Sequence, residues 1–170
     1  QGEFDQAEKQ IRLLASLPRQ DALVDARRAM IMMRRDQDYD GARTLLTNRL
    51  QRGTGAQTIV RRLRAFAAAS SGDFTTARQD AEHLRARNSR YLAHDIEARI
   101  RLKQKDFDGA ERELAKGGLT SVQDQLLRAT ILEAKAADAL TPFVDRDRLL
   151  REAAVIKAKY RMLDEYEVEP

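Results

Sequence analysis

The sequence predicts an all-α fold, an α-solenoid of antiparallel helix pairs, and three observations carry that prediction. An acid–aromatic–x–x–Ala junction recurs: Glu3-Phe4 with Ala7, Asp38-Tyr39 with Ala42, Asp73-Phe74 with Ala77, and Asp106-Phe107 with Ala110. The four aromatics are spaced by 35, 35 and 33 residues, within the range of periods that repeat architectures show. The composition is helix-prone, 34% charged with only 3 Pro and 8 Gly in 170 residues. At each junction the acid can accept a backbone N–H at the start of a second helix. The aromatic then fills the wedge where two helices diverge, and the Ala lets their backbones approach. Four residues beyond each Ala stands an apolar residue: Ile11, Leu46, Ala81 and Leu114.

Each element follows in order. Residues 3–17 read as the second helix of a pair, with Asp5 and Glu8 spaced as a capping box. In the pair at 20–52, Leu23, Val24, Met30 and Met33 stripe the helix ahead of Tyr39. The Met residues suit adaptable core packing. Gly53 and Gly55 break the chain before the pair at 56–87, where Ile59, Leu63, Phe66 and Ala67 precede Phe74. Asn88-Ser89 mark the next break, and Leu92, Ile96 and Ile100 stripe the pair at 90–116. Asp108 and Glu111 again fit a capping box, and Gly117-Gly118 end that pair. Residues 121–140 form a further first helix with Leu126, Leu127 and Ile131 apolar. Thr141-Pro142 then start a long last helix, Thr as cap and Pro in the first turn. Its inward stripe is Leu149, Leu150, Ala153, Ile156, Tyr160 and Leu163, and its polar remainder suits a terminal helix facing water.

These junctions, GDF, QDY and KDF each followed by x-x-Ala, resemble the inter-helix turn of the tetratricopeptide repeat family over residues 1 to about 135. The resemblance is to divergent repeats of a bacterial type. The family's W-x2-L-G-x2-Y pattern is absent from the first helices, where Met, Ala and Ile stand instead. The resemblance implies one domain over 1–170, a right-handed superhelix of nine or ten helices. It comprises a half-repeat at 1–19, pairs at 20–52, 56–87 and 90–116, and a final helix plus capping helix at 121–166. A half-repeat cannot bury its face alone, so a longer natural chain, a partner or self-association is expected to cover that end.

The chemistry of sites is mostly excluded. There is no Cys, hence neither disulfides nor thiolate chemistry. No apolar run approaches the ~18 residues of a membrane helix, and the N-terminus lacks a signal-peptide pattern. The bacterial cytoplasm and the periplasm both remain compatible. His83 and His94 fall in different pairs without HExxH spacing, so they read as surface or groove histidines and no metal is expected. The Gly53-Thr54-Gly55 stretch and the KGGLT run match no nucleotide-binding loop, so no cofactor is expected. No Ser/His/Asp order stands out, and the expectation is a non-enzyme.

What is left is binding. Residues 21–104 carry 17 Lys/Arg against 10 Asp/Glu, a net of +7, while residues 105–170 carry 11 against 14. In the family this chain resembles, first helices line a concave groove that takes a partner peptide. The resemblance places Arg27, Ile31, Arg34, Arg62, Phe66, Asp95, Arg99 and Lys103 on that face. Arg27, Arg62 and Arg99, from three successive first helices, are expected to converge there. The family's carboxylate-clamp subgroup needs Asn where Ile31, Phe66 and Arg99 stand, so that activity is not supported. The leading expectation is a protein-interaction scaffold taking an acidic or anionic segment. The alternative is a repeat segment of a bacterial envelope or exopolysaccharide export protein. Nucleic acid ranks third, because aromatics are 5% of the chain and are committed to the junctions.

Overall fold

The computed structural model describes Gln6 and residues 9–12, 21–53, 57–87, 89–119 and 121–166, the last six as backbone alone. Eight helices run through residues 21–166: α1 (Asp21–Arg35), α2 (Tyr39–Gln51), α3 (Gln57–Ser71), α4 (Phe74–Ala86), α5 (Arg90–Lys103), α6 (Phe107–Gly117), α7 (Val122–Ala137) and α8 (Phe143–Tyr166). Among the described residues there is no strand, and no helix is long and apolar enough to cross a membrane. Gln6 and residues 9–12 are also helical, with Ile11 buried. The Phe4–Ala7 junction, the Asp5–Glu8 box, Gly55, Asn88 and the Leu163 side chain lie outside the description.

Two compact units divide the chain, Gln1–Ser89 and Arg90–Pro170. In the first, α1 to α4 pack consecutively and the two first helices, α1 and α3, also touch. Its core gathers Ala29, Met33, Ala42, Leu46, Val60 and Ala67, with Met30 and Met32 packed against it. In the second, α5 to α8 pack consecutively and α5 touches α7. Its core has two clusters, Leu114, Leu127 and Ile131 around α6 and α7, and Leu132, Leu149 and Ile156 between α7 and α8.

Three junctions share one backbone geometry. Asp38, Asp73 and Asp106 cap α2, α4 and α6 with φ of −84°, −81° and −84° and ψ of 75°, 73° and 73°. Each accepts the N–H three residues on, from Gly41 at 2.8 Å, Thr76 at 3.1 Å and Gly109 at 2.9 Å. The residue before each cap is left-handed: Gln37 (φ 53°), Gly72 (φ 89°) and Lys105 (φ 61°). At the second and third junctions the cap N–H also closes the previous helix. Asp73 donates to the Ala68 carbonyl at 2.8 Å and Asp106 to that of Arg101 at 2.9 Å, the longer bond of a Schellman ending. The first junction is one residue longer, with Asp38 donating to Met32 at 3.0 Å. Ala42, Ala77 and Ala110 are fully buried, because a larger side chain there would hold the two helices apart.

Several expected details are otherwise. The junction aromatics Tyr39, Phe74 and Phe107 are half-buried rather than enclosed. On α3 the stripe is shifted by one residue: Val60 is buried and Ile59 is exposed. Asp108 and Glu111 form no capping box, since Asp106 is the cap and both of them accept from Lys135 of α7. A capping box does occur at Ser121 and Asp124, where each side chain accepts the other's backbone N–H at 3.0 Å. Thr141 does not cap α8; its hydroxyl donates back to the Lys135 carbonyl at 2.6 Å, closing the end of α7. Leu150 is exposed on α8, while Leu149 is buried.

Candidate functional site

Counting back from each junction aromatic sorts the candidates into columns. Twelve residues before Tyr39, Phe74 and Phe107 stand Arg27, Arg62 and Asp95, and eight before stand Ile31, Phe66 and Arg99. The third arginine therefore occupies a different column from the first two, and Asp95 takes the matching place. Arg27, Ile31, Arg34, Arg62 and Phe66 belong to the first unit, on its stacked helices α1 and α3, whereas Asp95, Arg99 and Lys103 lie on α5 of the second.

In the first unit, Arg27 is half-buried and donates to Gln10 Oε1 at 3.1 Å. Arg34 and Arg62 are exposed and make no ion pair among the described residues. Phe66 meets Tyr39 edge to face, with ring centroids 6.2 Å apart and planes at 76°. This aromatic packs against the unit's core, so much of its surface supports the fold. In the second unit, Asp95 is buried and accepts from Arg99 Nε at 3.2 Å, one helical turn on. Its Oδ1 has no hydrogen-bond partner among the described residues. Lys103 is exposed at the end of α5.

No protein-family model, curated protein or solved structure matches the chain.

The most deeply held polar groups lie elsewhere. Asp80, fully buried on α4, accepts from Arg64 through two nitrogens, at 2.7 and 2.8 Å, and from Arg61 at 3.0 Å. Buried Glu113 on α6 accepts from Lys116 at 2.7 Å and sits 3.1 Å from Nδ1 of His94, with Arg101 4.0 Å away. Burial pushes the Glu113 carboxyl up, but the hydrogen bonds from Lys116 and His94 outweigh it and the net shift is downward. Arg49, buried on α2, lies 3.8 Å from both Asp21 and Asp25 of α1.

A signal for the first two was present. Asp80 and Glu113 both stand six residues after the junction aromatic, and Arg61 and His94 both stand thirteen before it. The acid on the second helix and the base on the first meet across the pair. In the first pair the same positions are Leu45 and Ala26, which makes that version apolar. His94 is therefore half-buried in an ion cluster, while His83 is exposed.

Proposed function

We propose that the chain is a non-catalytic protein-interaction scaffold of the tetratricopeptide kind. Its first helices present a basic face to an acidic segment of another protein. The observation that carries this reading is the contrast among the arginines of the first unit. Arg43, Arg61 and Arg64 are consumed by Asp73 and Asp80, whereas Arg34 and Arg62 stand exposed on neighbouring first helices without such a partner among the described residues. Charges left unpaired at the surface repel one another mildly and attract an anionic ligand. The basic excess of the middle of the chain points the same way, as do the repeated cap junctions. A right-handed stacking of the helix pairs belongs to this proposal too.

The test is binding of a Glu/Asp-rich helical peptide, followed by fluorescence anisotropy. The double replacement Arg34→Glu with Arg62→Glu should weaken it at least about tenfold, roughly 1.4 kcal/mol. Helicity should be unchanged, and wild-type affinity should fall as salt rises. Equal binding by the double variant would overturn the basic-face reading, since these two arginines would then only solvate their helices.

A further inference from the structure

Helix α8 has an apolar inner side and, at the two ends of its outer side, exposed apolar side chains. One side packs into the second unit through Leu149, Ala153 and Ile156. The other bears Phe143 and Val144, 79% and 81% exposed, and Val155, 68% exposed, with Leu140 at 93% just ahead of the helix. Leu140, Phe143 and Val144, near neighbours in the chain, form an exposed apolar cluster of the kind that marks an interaction site. We propose that this outer face binds the same face of a second copy of the chain, antiparallel, about a two-fold axis passing opposite Leu149.

Charge complementarity selects both the occupant and the register. Asp147 and Arg151 lie in the middle of the outer face, both exposed and without an ion pair among the described residues. They stand two residues either side of Leu149, which points inward; at about 100° per residue, both project on the opposite side of the helix. An antiparallel copy centred there sets Asp147 against Arg151 of the partner and Arg151 against its Asp147. A two-fold contact must be self-complementary in this way. The same register sets Phe143 beside Ala154 of the second copy and Val144 beside its Val155, all four exposed in the single chain. Moving the centre by one residue breaks both charge pairs. A single helix laid on its copy buries less than the roughly 1,200 Å² of stable complexes, so the dimer is weak and exchanges with monomer.

The experiment is sedimentation equilibrium of the 170-residue chain up to roughly 1 mM, a range in which weak pairs populate. A reversible monomer–dimer equilibrium is expected. Asp147→Arg alone and Arg151→Asp alone each set like charges opposite one another, and each should weaken it at least about tenfold. The double variant should regain it, and the two single variants mixed in equal amounts should associate with each other. Both substitutions are on the surface, and circular dichroism should report unchanged helicity. A wild-type chain that stays monomeric throughout overturns the proposal, and so does a dimer indifferent to both single reversals. A dimer that the double variant does not restore rejects the register and with it the antiparallel pairing.

Discussion

Arg64 grips Asp80 with two nitrogens, Nε to Oδ2 at 2.7 Å and Nη2 to Oδ1 at 2.8 Å, and thereby ties α3 to α4 through a carboxylate fully removed from water. Removing only the acid leaves two part-buried guanidinium groups without their anion. Asp80→Ala should therefore cost about 3–5 kcal/mol in urea unfolding, the range for breaking a buried pair by deleting one partner. Replacing the whole cluster with apolar groups, Asp80→Leu with Arg61→Met and Arg64→Met, should recover most of that loss. If Asp80→Ala is as stable as wild type, the carboxylate is not the tie between these helices.

The cap at Asp73 makes stability depend on acid. The Thr76 backbone N–H, then its hydroxyl, hold the Asp73 carboxyl below its ordinary value; burial opposes them by less, and the hydrogen bond and charge of Arg43 pull the same way as Thr76. A depressed folded value stabilises fully above the unfolded value of about 3.9 and loses that contribution as pH falls through the folded one. Asp73→Ala should cost about 0.5–2 kcal/mol at neutral pH, and the gap to wild type should shrink on going below about pH 4. Urea midpoints at pH 7 and in acid check the sign; a gap that grows in acid contradicts it.

Phe74 and Ala77 test the same junction from opposite directions. The Phe74 ring is half-buried, so Phe74→Ala should lose only about 1–2 kcal/mol, less than a fully enclosed ring would. Ala77 is fully buried, and Ala77→Leu should cost about 1–3 kcal/mol by forcing the helices apart. Thermal unfolding of both variants ranks them, and the small-to-large change should do at least as much harm.

Lys105 sits in the left-handed region at φ 61°, where the equivalent junction residue is Gly72. A side chain there crowds its own backbone by about 1–2 kcal/mol, partly offset by the greater unfolded freedom of Gly. Lys105→Gly should therefore stabilise the protein by about 0.5–1 kcal/mol. A lowered denaturation midpoint would show that the Lys105 side chain contributes something its exposure does not suggest.

The junctions were legible because their cause is local. An Asp three residues before a free N–H makes a cap whatever surrounds it, and Asp38, Asp73 and Asp106 do so with nearly one backbone geometry. The Ala after each aromatic was readable for the same reason, since closeness of two consecutive helices is decided within a few residues of the turn. Local spacing also misled where two acids competed: Asp108 and Glu111 had capping-box spacing, yet Lys135, twenty-seven residues after Asp108, drew both away.

By itself the sequence determined the helices and breaks of the described residues and the aspartate caps at Asp38, Asp73 and Asp106, because hydrogen bonding within one turn and apolar periodicity act over a few residues. Tertiary structure decided which charges are spent and which are free. Arg62 and Arg64 are two residues apart, alike in every local respect, but α4 delivers Asp80 to one and leaves the other in solvent. Leu149 and Leu150 are adjacent, yet the rotation of α8 against α7 buries the first and exposes the second. A helix turns about 100° per residue, so an offset of one position, too small to change any local preference, decides whether a side chain meets core or water.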